Sequence, residues 1–367
     1  MSLLTPMLRS SPLTDWFSDA QRVQGMLDFE AALAQAQAAC GMVPPEAVGP
    51  IVAACRHEAI DFAALGEAAV GAGNLAIPLV KQLTAQVKAQ DPEAARYVHW
   101  GATSQDAIDT GLVLQLRGAL DAAETLLEQL LAALALQADR YRDTVMPGRT
   151  WMQHALPVTF GLKLAGTLDA LLRWQQRLRE MRPRLLALQF GGAAGTLDAL
   201  KEKGPAVGLA LAQILGLSLP DTPWHSQRDR LLEAGAWFAG VCGTLGKFAN
   251  DFSLLMQTEV AEVGEPVAEG RGGSSTMPHK RNPVACAAMR LSRMAMIARP
   301  ARERVRFSTT MSVIITRMKP AVNVAIVAVP VAPCAPLMIA VPEALRPRSS
   351  TVLLPAGLKM KCRPFSS

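Results

Sequence analysis

A long stretch of this chain, residues 110–142, contains no proline and carries leucines that recur at the spacing of one helical face. The leucines lie at positions 112, 116, 120, 127, 130 and 131. The pattern predicts an amphipathic helix much longer than the average globular helix. Because such a helix must bury its apolar face against another element, a helix of this length requires partners that are comparably long.

Two other segments have the same character. Residues 158–182 form a second predicted helix between Pro157 and Pro183, since proline is tolerated at a helix start but disrupts a helix interior. A third helix is predicted over about residues 227–262. Very little of the chain alternates as a strand does. Three long helices predict an all-α, elongated bundle rather than a layered sandwich.

One short stretch carries most of the chemical information. Residues 272–283 read Gly-Gly-Ser-Ser-Thr-Met-Pro-His-Lys-Arg-Asn-Pro. The glycines and serines favour a mobile loop, and the Lys-Arg-Asn run adds cation and amide donors. Pro283 suits the first position of a helix over residues 284–296, whose free amides would favour negative charge. The stretch predicts a loop that binds a carboxylate, although a flexible surface loop with solvated charges has the same composition.

These twelve residues resemble the signature loop of the fumarase/aspartase superfamily, Gly-Ser-Ser-x-Met-Pro-x-Lys-x-Asn, and match it at every fixed position. Two further stretches are similar to the family's first and second signature regions: residues 99–111, His-Trp-Gly-Ala-Thr-Ser-Gln-Asp-Ala-Ile-Asp-Thr-Gly, and residues 148–159, Gly-Arg-Thr-Trp-Met-Gln-His-Ala-Leu-Pro-Val-Thr. The resemblance runs from about residue 26 to about residue 284. Within the superfamily, the sequence is most similar to that of the bacterial cycloisomerases over residues 97–106, 189–192 and 224–230.

The resemblance implies a fold and an assembly. The family has a small helical N-terminal domain, here residues 1–105, and a central bundle of long helices, here residues 106–298 with the signature loop at 270–283. Family members are tetramers in which each active site takes segments from three subunits, so we expect a homotetramer with shared active sites. On the N-terminal helix that carries residues 26–33, we expect the acidic residues to form the solvated face.

Residues 299–367 depart from the family. They carry nine of the 25 prolines, and those at positions 320, 330, 333, 336, 342 and 347 forbid a long helix. We therefore expect the family's C-terminal helical domain to be missing, or replaced by a basic and disordered tail. A bundle without its last helices would expose apolar faces that associate, so the sequence leaves stability and tetramer formation open.

The resemblance also implies a reaction. We expect cycloisomerisation of 3-carboxy-cis,cis-muconate to a carboxymuconolactone in aromatic-acid catabolism, in which one substrate carboxylate adds across a double bond. Such an addition needs proton transfer at carbon and cations that stabilise the developing enediolate. Two alternatives stay open: another lyase of the superfamily, of the adenylosuccinate lyase or fumarase type, and a truncated, inactive fragment or scaffold.

Three catalytic residues follow from the same resemblance. Ser274 would exchange the proton at carbon, and Lys280 with helix-terminal amides would favour its alkoxide, since a serine hydroxyl is too weak an acid to ionise unaided at neutral pH. Many relatives carry a histidine where Trp151 stands here. His154, three residues later, matches the second histidine of relatives that read Thr-His-x-x-His-Ala, which makes it the candidate partner acid; the alternative is that it orients Gln153 or Thr150 by hydrogen bonds. One helical turn would bring His154 toward the same pocket.

The remaining candidates would bind substrate carboxylates through hydroxyl, amide, imidazole and guanidinium groups. Their positions within the family-like segments, rather than their residue types alone, single them out. We expect substrate contacts from His99, Thr103, Ser104, Arg149, Thr150, Gln153, Arg228, Ser275, Met277, Arg281 and Asn282.

The formal net charge of +6 does not indicate a nucleic-acid-binding protein. Residues 299–367 hold 11 of the 37 basic residues and only 2 of the 31 acidic ones, so the rest of the chain has 26 basic residues against 29 acidic. A mildly acidic body lacks the basic patch that nucleic acid requires. The uncharged stretch over residues 321–341 contains internal prolines, so we expect no membrane-spanning helix there.

Six cysteines are scattered along the chain without a Cys-x-x-Cys pair or a Cys/His cluster. This pattern argues against a zinc site or a disulfide framework, so we expect reduced thiols, no metal and no cofactor. No basic segment followed by an apolar stretch begins the sequence, and we therefore expect a cytoplasmic protein. Its predicted partner is a small polycarboxylate substrate.

Overall fold

The computed structural model describes residues 12–265 and 270–297, and helices dominate this part of the chain. The all-α prediction is confirmed. The 3₁₀ turns lie at His57–Ala59, Ala94–Tyr97 and Asp198–Lys203, and one hairpin of β1 (Val145–Thr150) and β2 (Gln153–Thr159) is the only sheet in the described residues. The α-helices are α1 (Pro12–Trp16), α2 (Asp19–Ala39), α3 (Pro45–Ala54), α4 (Phe62–Ala72), α5 (Ala76–Gln90), α6 (Ser104–Arg140), α7 (Phe160–Leu185), α8 (Gly204–Leu215), α9 (Asp229–Leu255) and α10 (Val284–Ile297).

All three predicted long helices are present, with different ends. Helix α6 begins at Ser104 rather than at residue 110, because Asp106 accepts a hydrogen bond from the Thr103 amide and caps the helix start. Helix α7 continues past Pro183 to Leu185, so the predicted stop at that proline is wrong. The proline lies in the last turn, where it removes one hydrogen bond, the one its missing N–H would donate back to the carbonyl four residues earlier. Helix α9 ends at Leu255, short of the predicted residue 262.

The long helices pack into a bundle. Helix α6 packs on α7, α7 on α9, and α9 on α10. Their buried side chains form one continuous apolar cluster along the helix axes. Ion pairs join the helices at the rim of this cluster: Lys163 of α7 lies 2.9 Å from Asp251 of α9, and Arg182 of α7 lies 2.8 Å from Asp121 of α6.

A second apolar cluster is built on α2. Helices α3, α5 and α8 and parts of the 188–224 segment contribute buried side chains to it, together with Ala107 and Val113 near the start of α6. The later residues of α6, from Leu116 to Leu134, belong to the bundle cluster. Helix α6 therefore contributes to both apolar clusters, and the boundary near residue 105 stays a prediction.

Helices α2 and α6 touch at a pair of glycines. A Cβ atom placed on Gly25 would lie 2.7 Å from the Gly111 carbonyl oxygen, and one placed on Gly111 would lie 2.9 Å from the Gly25 carbonyl carbon. No other residue type fits at this distance without moving a helix backbone. The close approach brings the start of α6 against α2, on which the first part of the candidate site depends.

The β1–β2 hairpin lies where the sequence predicts no strand. Trp151 and Met152 form its two-residue turn with φ angles of 52° and 63°, the left-handed pair that hairpin turns of this length use. The strand register shifts between Pro147 and Arg149. Prolines and a glycine within the strands obscure the period-two pattern, which explains why the sequence did not indicate it.

Three further expectations concern a membrane-spanning helix, the cysteines and the C-terminal tail. No helix among the described residues is both long and apolar enough to cross a membrane. Within the same residues, Cys40, Cys55, Cys242 and Cys286 are free thiols, as predicted. The predicted tail at residues 299–367 lies outside the described residues.

Candidate functional site

Asp106, near the start of α6, is the centre of a buried hydrogen-bond network. Its fully buried carboxylate accepts hydrogen bonds from the amides of Thr103, Gly191 and Gly192 at 3.0, 3.0 and 2.9 Å. Gln189 Nε2 donates a fourth bond at 3.0 Å. Burial raises the pKa of Asp106, and these hydrogen bonds lower it by less, so the net shift is upward. The network fixes the first signature region against the glycine turn after Gln189.

Gln189 extends this network to a third segment. Its Oε1 accepts a hydrogen bond from the Trp224 amide at 2.6 Å, and its Nε2 lies 3.5 Å from His225 Nδ1. Its backbone amide and carbonyl both bond to the Thr110 hydroxyl, at 3.0 and 2.8 Å. The three stretches that resemble bacterial cycloisomerases, far apart in sequence, are therefore joined around one buried glutamine side chain.

His99 lies beside this network and is held by a buried carboxylate. Its Nδ1 lies 2.6 Å from Oε1 of Glu30, which is 2% exposed on α2. The expectation that the acidic residues of this helix are solvated holds for Asp28 and is wrong for Glu30, because Glu30 faces the 99–100 segment. Burial lowers the pKa of His99, but the hydrogen bond and charge of Glu30 and the charge of Asp106 together outweigh it and raise the pKa.

Thr103 and Ser104 lie at the N-terminus of α6. Thr103 is the residue before the helix and Ser104 is its first residue, and both are half-buried. The Thr103 amide donates a hydrogen bond to the Asp106 carboxylate. The two hydroxyls thus stand at a positive helix end next to the His99 segment, as a carboxylate-binding role requires.

Arg228, immediately before α9, is paired with a buried aspartate. Its two Nη atoms donate to the two carboxylate oxygens of Asp109 at 2.6 and 2.7 Å, and Asp109 is 1% exposed. The hydrogen bond to Asp109 is the main cause of the raised pKa of Arg228. The guanidinium also lies over the Trp224 ring, 5.4 Å from its centroid. The arginine predicted to bind substrate therefore also anchors α9 to α6.

Arg149 of β1 is paired with a half-buried glutamate. Its Nη1 and Nη2 donate to Oε2 and Oε1 of Glu262 at 2.8 and 2.5 Å. The hydrogen bond to Glu262 raises the pKa of the guanidinium, while burial lowers it by less. The ion pair ties the hairpin to the segment that follows α9. Arg149 also lines a mostly apolar cleft of about 390 Å³ between the hairpin, α7 and the end of α9.

The other hairpin candidates are exposed near its turn. Thr150 ends β1, and Gln153 and His154 begin β2. The expectation that one helical turn carries His154 toward a pocket is wrong, because His154 lies on a strand, in register with Arg149. Trp151, which replaces the usual family histidine, is 95% exposed at the turn.

The signature loop places Ser274 at the head of a tight turn. Its Oγ accepts hydrogen bonds from the amides of Met277 at 3.1 Å and Thr276 at 3.4 Å. Backbone donors of this kind favour the charged form of an oxygen. The turn therefore supplies part of the stabilisation that an alkoxide at Ser274 needs.

Asn282 closes the loop. Its amide donates to the Gly272 carbonyl at 2.8 Å and its Nδ2 donates to the Gly273 carbonyl at 3.3 Å. Gly272 has a φ of 66°, and a Cβ there would lie 2.7 Å from the Asn282 carbonyl oxygen. These bonds hold the backbone at the base of the loop. The other predicted site residues of the loop are exposed: Ser275, Met277, Lys280 and Arg281.

The start of α10 is not free to bind a ligand as predicted. The amides of Ala285 and Cys286 donate to the two carboxylate oxygens of Glu265 at 3.1 and 2.9 Å. The Glu265 side chain is 5% exposed, and its Oε2 lies 3.9 Å from Nη2 of Arg271. The helix does begin just after Pro283, as predicted, but an internal glutamate takes the place that was expected for a substrate carboxylate.

The predicted site residues fall into three groups within one chain. Among the described residues, no hydrogen bond or ion pair joins one group to another. That part of the chain also contains no cluster of three or more His, Cys, Asp or Glu side chains arranged to hold a metal. The groups are the α6 group (His99, Thr103, Ser104, Arg228), the hairpin group (Arg149, Thr150, Gln153, His154) and the loop group (Ser274, Ser275, Met277, Lys280, Arg281, Asn282).

Sequence reasoning missed the side chains that orient these groups. All but Gln189 are acidic, and for Glu30 the sequence predicted a position on the solvated face of its helix. Two of them lie in the first signature region, where their three-residue spacing places them on one side of α6. That spacing was the available signal for these two, and Gln189 lies in the 189–192 stretch that resembles bacterial cycloisomerases. The three glutamates have no such signal. The missed residues are Glu30, Asp106, Asp109, Gln189, Glu262 and Glu265.

Comparison with known proteins gives a family match and named relatives. The model of a family described as lyase matches residues 8–297. A 3-carboxy-cis,cis-muconate cycloisomerase from Pseudomonas aeruginosa is 62% identical over 280 residues, which cover 76% of this chain and 61% of the relative. The chain spans less than two thirds of the length of the curated cycloisomerases it matches.

Solved structures with a similar fold carry related names. A 3-carboxy-cis,cis-muconate lactonizing enzyme from Pseudomonas putida is 50% identical, with a TM-score of 0.78 over 88% of this chain and 74% of that one. A fumarate lyase from Mesorhizobium sp. BNC1 is 35% identical, with a TM-score of 0.75 over 85% of this chain and 74% of that one. The similarity therefore extends over most of the chain.

Proposed function

The chain belongs to the lyase family of the fumarase/aspartase superfamily, and from this premise we propose that it is a cycloisomerase that converts 3-carboxy-cis,cis-muconate to a carboxymuconolactone. The observation that carries the proposal is the 62% identity to a relative named for this reaction. The family match over residues 8–297 includes the loop at residues 272–283 and the three stretches joined by Gln189.

The reaction is an intramolecular addition. An oxygen of one substrate carboxylate forms a bond to one carbon of the neighbouring double bond. The π electron pair of the double bond then moves to its other carbon. A carboxylate beside that carbon takes up the charge as an enediolate until a proton arrives. The enzyme must therefore bind several carboxylates, stabilise the enediolate and hold a proton donor at carbon.

Ser274 is the residue we assign to proton transfer at carbon. Its Oγ already accepts two backbone amide bonds, which lower the cost of forming an alkoxide. Lys280, six residues further along an exposed loop, would add a positive charge on closure. His154 is the candidate partner acid, which would return a proton to Ser274 after Ser274 has protonated the carbon.

Carboxylate binding falls to the α6 and loop groups. Thr103 and Ser104 offer hydroxyls at the N-terminus of α6, and His99 stands beside them with a raised pKa that favours its cationic form. Arg281 and Asn282 contribute donors from the loop. Each of these groups binds an anion, which suits a tricarboxylate substrate.

We propose that the active site forms between subunits of a homotetramer. The three groups are not joined within the described part of one chain, and the hairpin exposes large apolar side chains, with Trp151 at 95% and Leu156 at 81%. Burial of these side chains against another copy would stabilise the assembly. Light scattering of the intact chain should give about four times the 39.2 kDa mass of one chain. A monomer that turns over substrate would contradict shared sites.

The second candidate is an inactive fragment. It is favoured by one observation, that the chain spans less than two thirds of the length of its curated relatives.

The candidate functions are distinguished by measuring turnover of 3-carboxy-cis,cis-muconate, adenylosuccinate and fumarate by the purified chain. We expect loss of the muconate absorbance alone. Turnover of another substrate without the muconate would contradict the assignment, and turnover of none would favour the fragment.

A further inference from the structure

The contact between Glu30 and His99 is unusual for a buried acidic residue. Glu30 is 2% exposed, and the His99 imidazole, 2.6 Å away, is its hydrogen-bond partner among the described residues. The second carboxylate oxygen, Oε2, is buried and has no partner there. No lysine or arginine forms an ion pair with it in this part of the chain. Because a buried carboxylate needs a counter-charge, the natural one here is the imidazolium of His99.

The same helix holds the backbone beside His99. Gln37, two turns after Glu30 on α2, donates from Nε2 to the Trp100 carbonyl at 2.6 Å. His99 has a φ of 59°, a left-handed conformation that is costly for a residue with a side chain. One face of α2 therefore fixes both the peptide and the ring. The ring is held on its Nδ1 side, and Nε2 makes no hydrogen bond among the described residues.

We propose that Glu30 is a positioning residue for His99: it holds Nδ1 on a buried carboxylate and keeps the imidazole cationic, so that Nε2 donates to a carboxylate of the substrate. This role rests on the proposed function for its substrate, but the contact itself does not. The helix N-terminus at Thr103 and Ser104 lies next along the chain, so His99 and the helix end present their donors from one segment.

The contact is tested without substrate by the titration of His99. Histidines are labelled with ¹³C at Cε1, and His99→Gln identifies the His99 signal among the five. The charged neighbours of His99 are Glu30 from α2 and Asp106 from α6. In Glu30→Gln the burial remains while the carboxylate is lost, so the pKa of His99 should fall by about one unit or more. Asp28→Asn, on the same helix but exposed, should leave it unchanged.

Glu30→Asp is the second variant, used if Glu30→Gln does not fold. It keeps the carboxylate but withdraws it by one methylene, so it should lower the pKa of His99 by less. A His99 pKa that is the same as wild type in the folded variants would overturn the proposal.

Kinetics then separate positioning from structural support. In Glu30→Gln the KM for 3-carboxy-cis,cis-muconate should rise about tenfold while kcat changes less, since binding of a carboxylate is lost. In the wild type KM should rise as the pH increases through the pKa of His99, and in the variant this rise should move to lower pH. A wild-type pH profile in the variant would overturn the proposal. If the wild type does not turn over the muconate, the proposed function fails, while the titration still decides the Glu30–His99 contact.

Discussion

Two of the three arginines that the sequence assigns to substrate binding are held by carboxylates of the same chain. Arg149 pairs with Glu262 and Arg228 with Asp109, partners that lie 113 and 119 residues away in sequence. Motif context singles out the arginines, but a partner at such a separation depends on how the helices pack. The sequence therefore predicts which cations lie near the site and cannot predict what orients them.

Arg228→Lys tests how much the Asp109 pair stabilises the fold. A lysine cannot donate to both carboxylate oxygens in the plane of a guanidinium, and Asp109 would remain buried with fewer donors. We expect the free energy of unfolding to fall by about 1–3 kcal/mol in urea titrations.

The matched control is Arg173→Lys on α7. Arg173 and its partner Asp169 are largely exposed, at 52% and 68%, so solvent screens the pair. That substitution should change the free energy of unfolding by less than about 0.5 kcal/mol. Equal effects of the two substitutions would contradict the anchoring role of Arg228.

At the level of helices and strands, local signals predict the helices well and the hairpin not at all. Leucine spacing and flanking prolines are properties of neighbouring residues, and they locate α6, α7 and α9 to within several residues at most of their ends. The hairpin depends on a left-handed Trp151–Met152 turn and a register shift next to Gly148, neither of which the residue types indicate. The sequence also does not predict the glycine contact between α2 and α6, because that contact depends on how the two helices pack.

Gly111→Ala tests that glycine contact. The new methyl group would lie within 3 Å of the α2 backbone, which cannot move as a flexible side chain can. The overpacking should lower the free energy of unfolding by about 1–3 kcal/mol in the same urea titrations.

Gly66→Ala on α4 is the control for this substitution. Apart from its chain neighbours and the backbone of its own helix, no atom lies within 4 Å of the position of its new Cβ, and alanine favours a helix more than glycine does. It should raise the free energy of unfolding by about 0.5–1 kcal/mol. A neutral Gly111→Ala would show that the two helices can separate without cost.

For the whole molecule, the signature loop is the part of the sequence that predicts most. It implies the superfamily, and with it the long-helix bundle that the structure contains and the lyase family that matches residues 8–297. Whether the α6, hairpin and loop groups meet cannot be derived from one chain, because it depends on how copies associate. Because the complete site depends on that association, a measurement of activity tests the proposed function more directly than a measurement of the fold of one chain.

The most direct test of the proposed reaction is the rate of loss of 3-carboxy-cis,cis-muconate absorbance with the wild type, Ser274→Ala and Ser275→Ala at equal concentration. We expect turnover in the wild type, a loss of at least about a hundredfold in Ser274→Ala because proton transfer at carbon is removed, and a much smaller loss in Ser275→Ala. Circular dichroism should show the same helix content in all three. A Ser274→Ala variant that retains the wild-type rate would contradict the assigned chemistry.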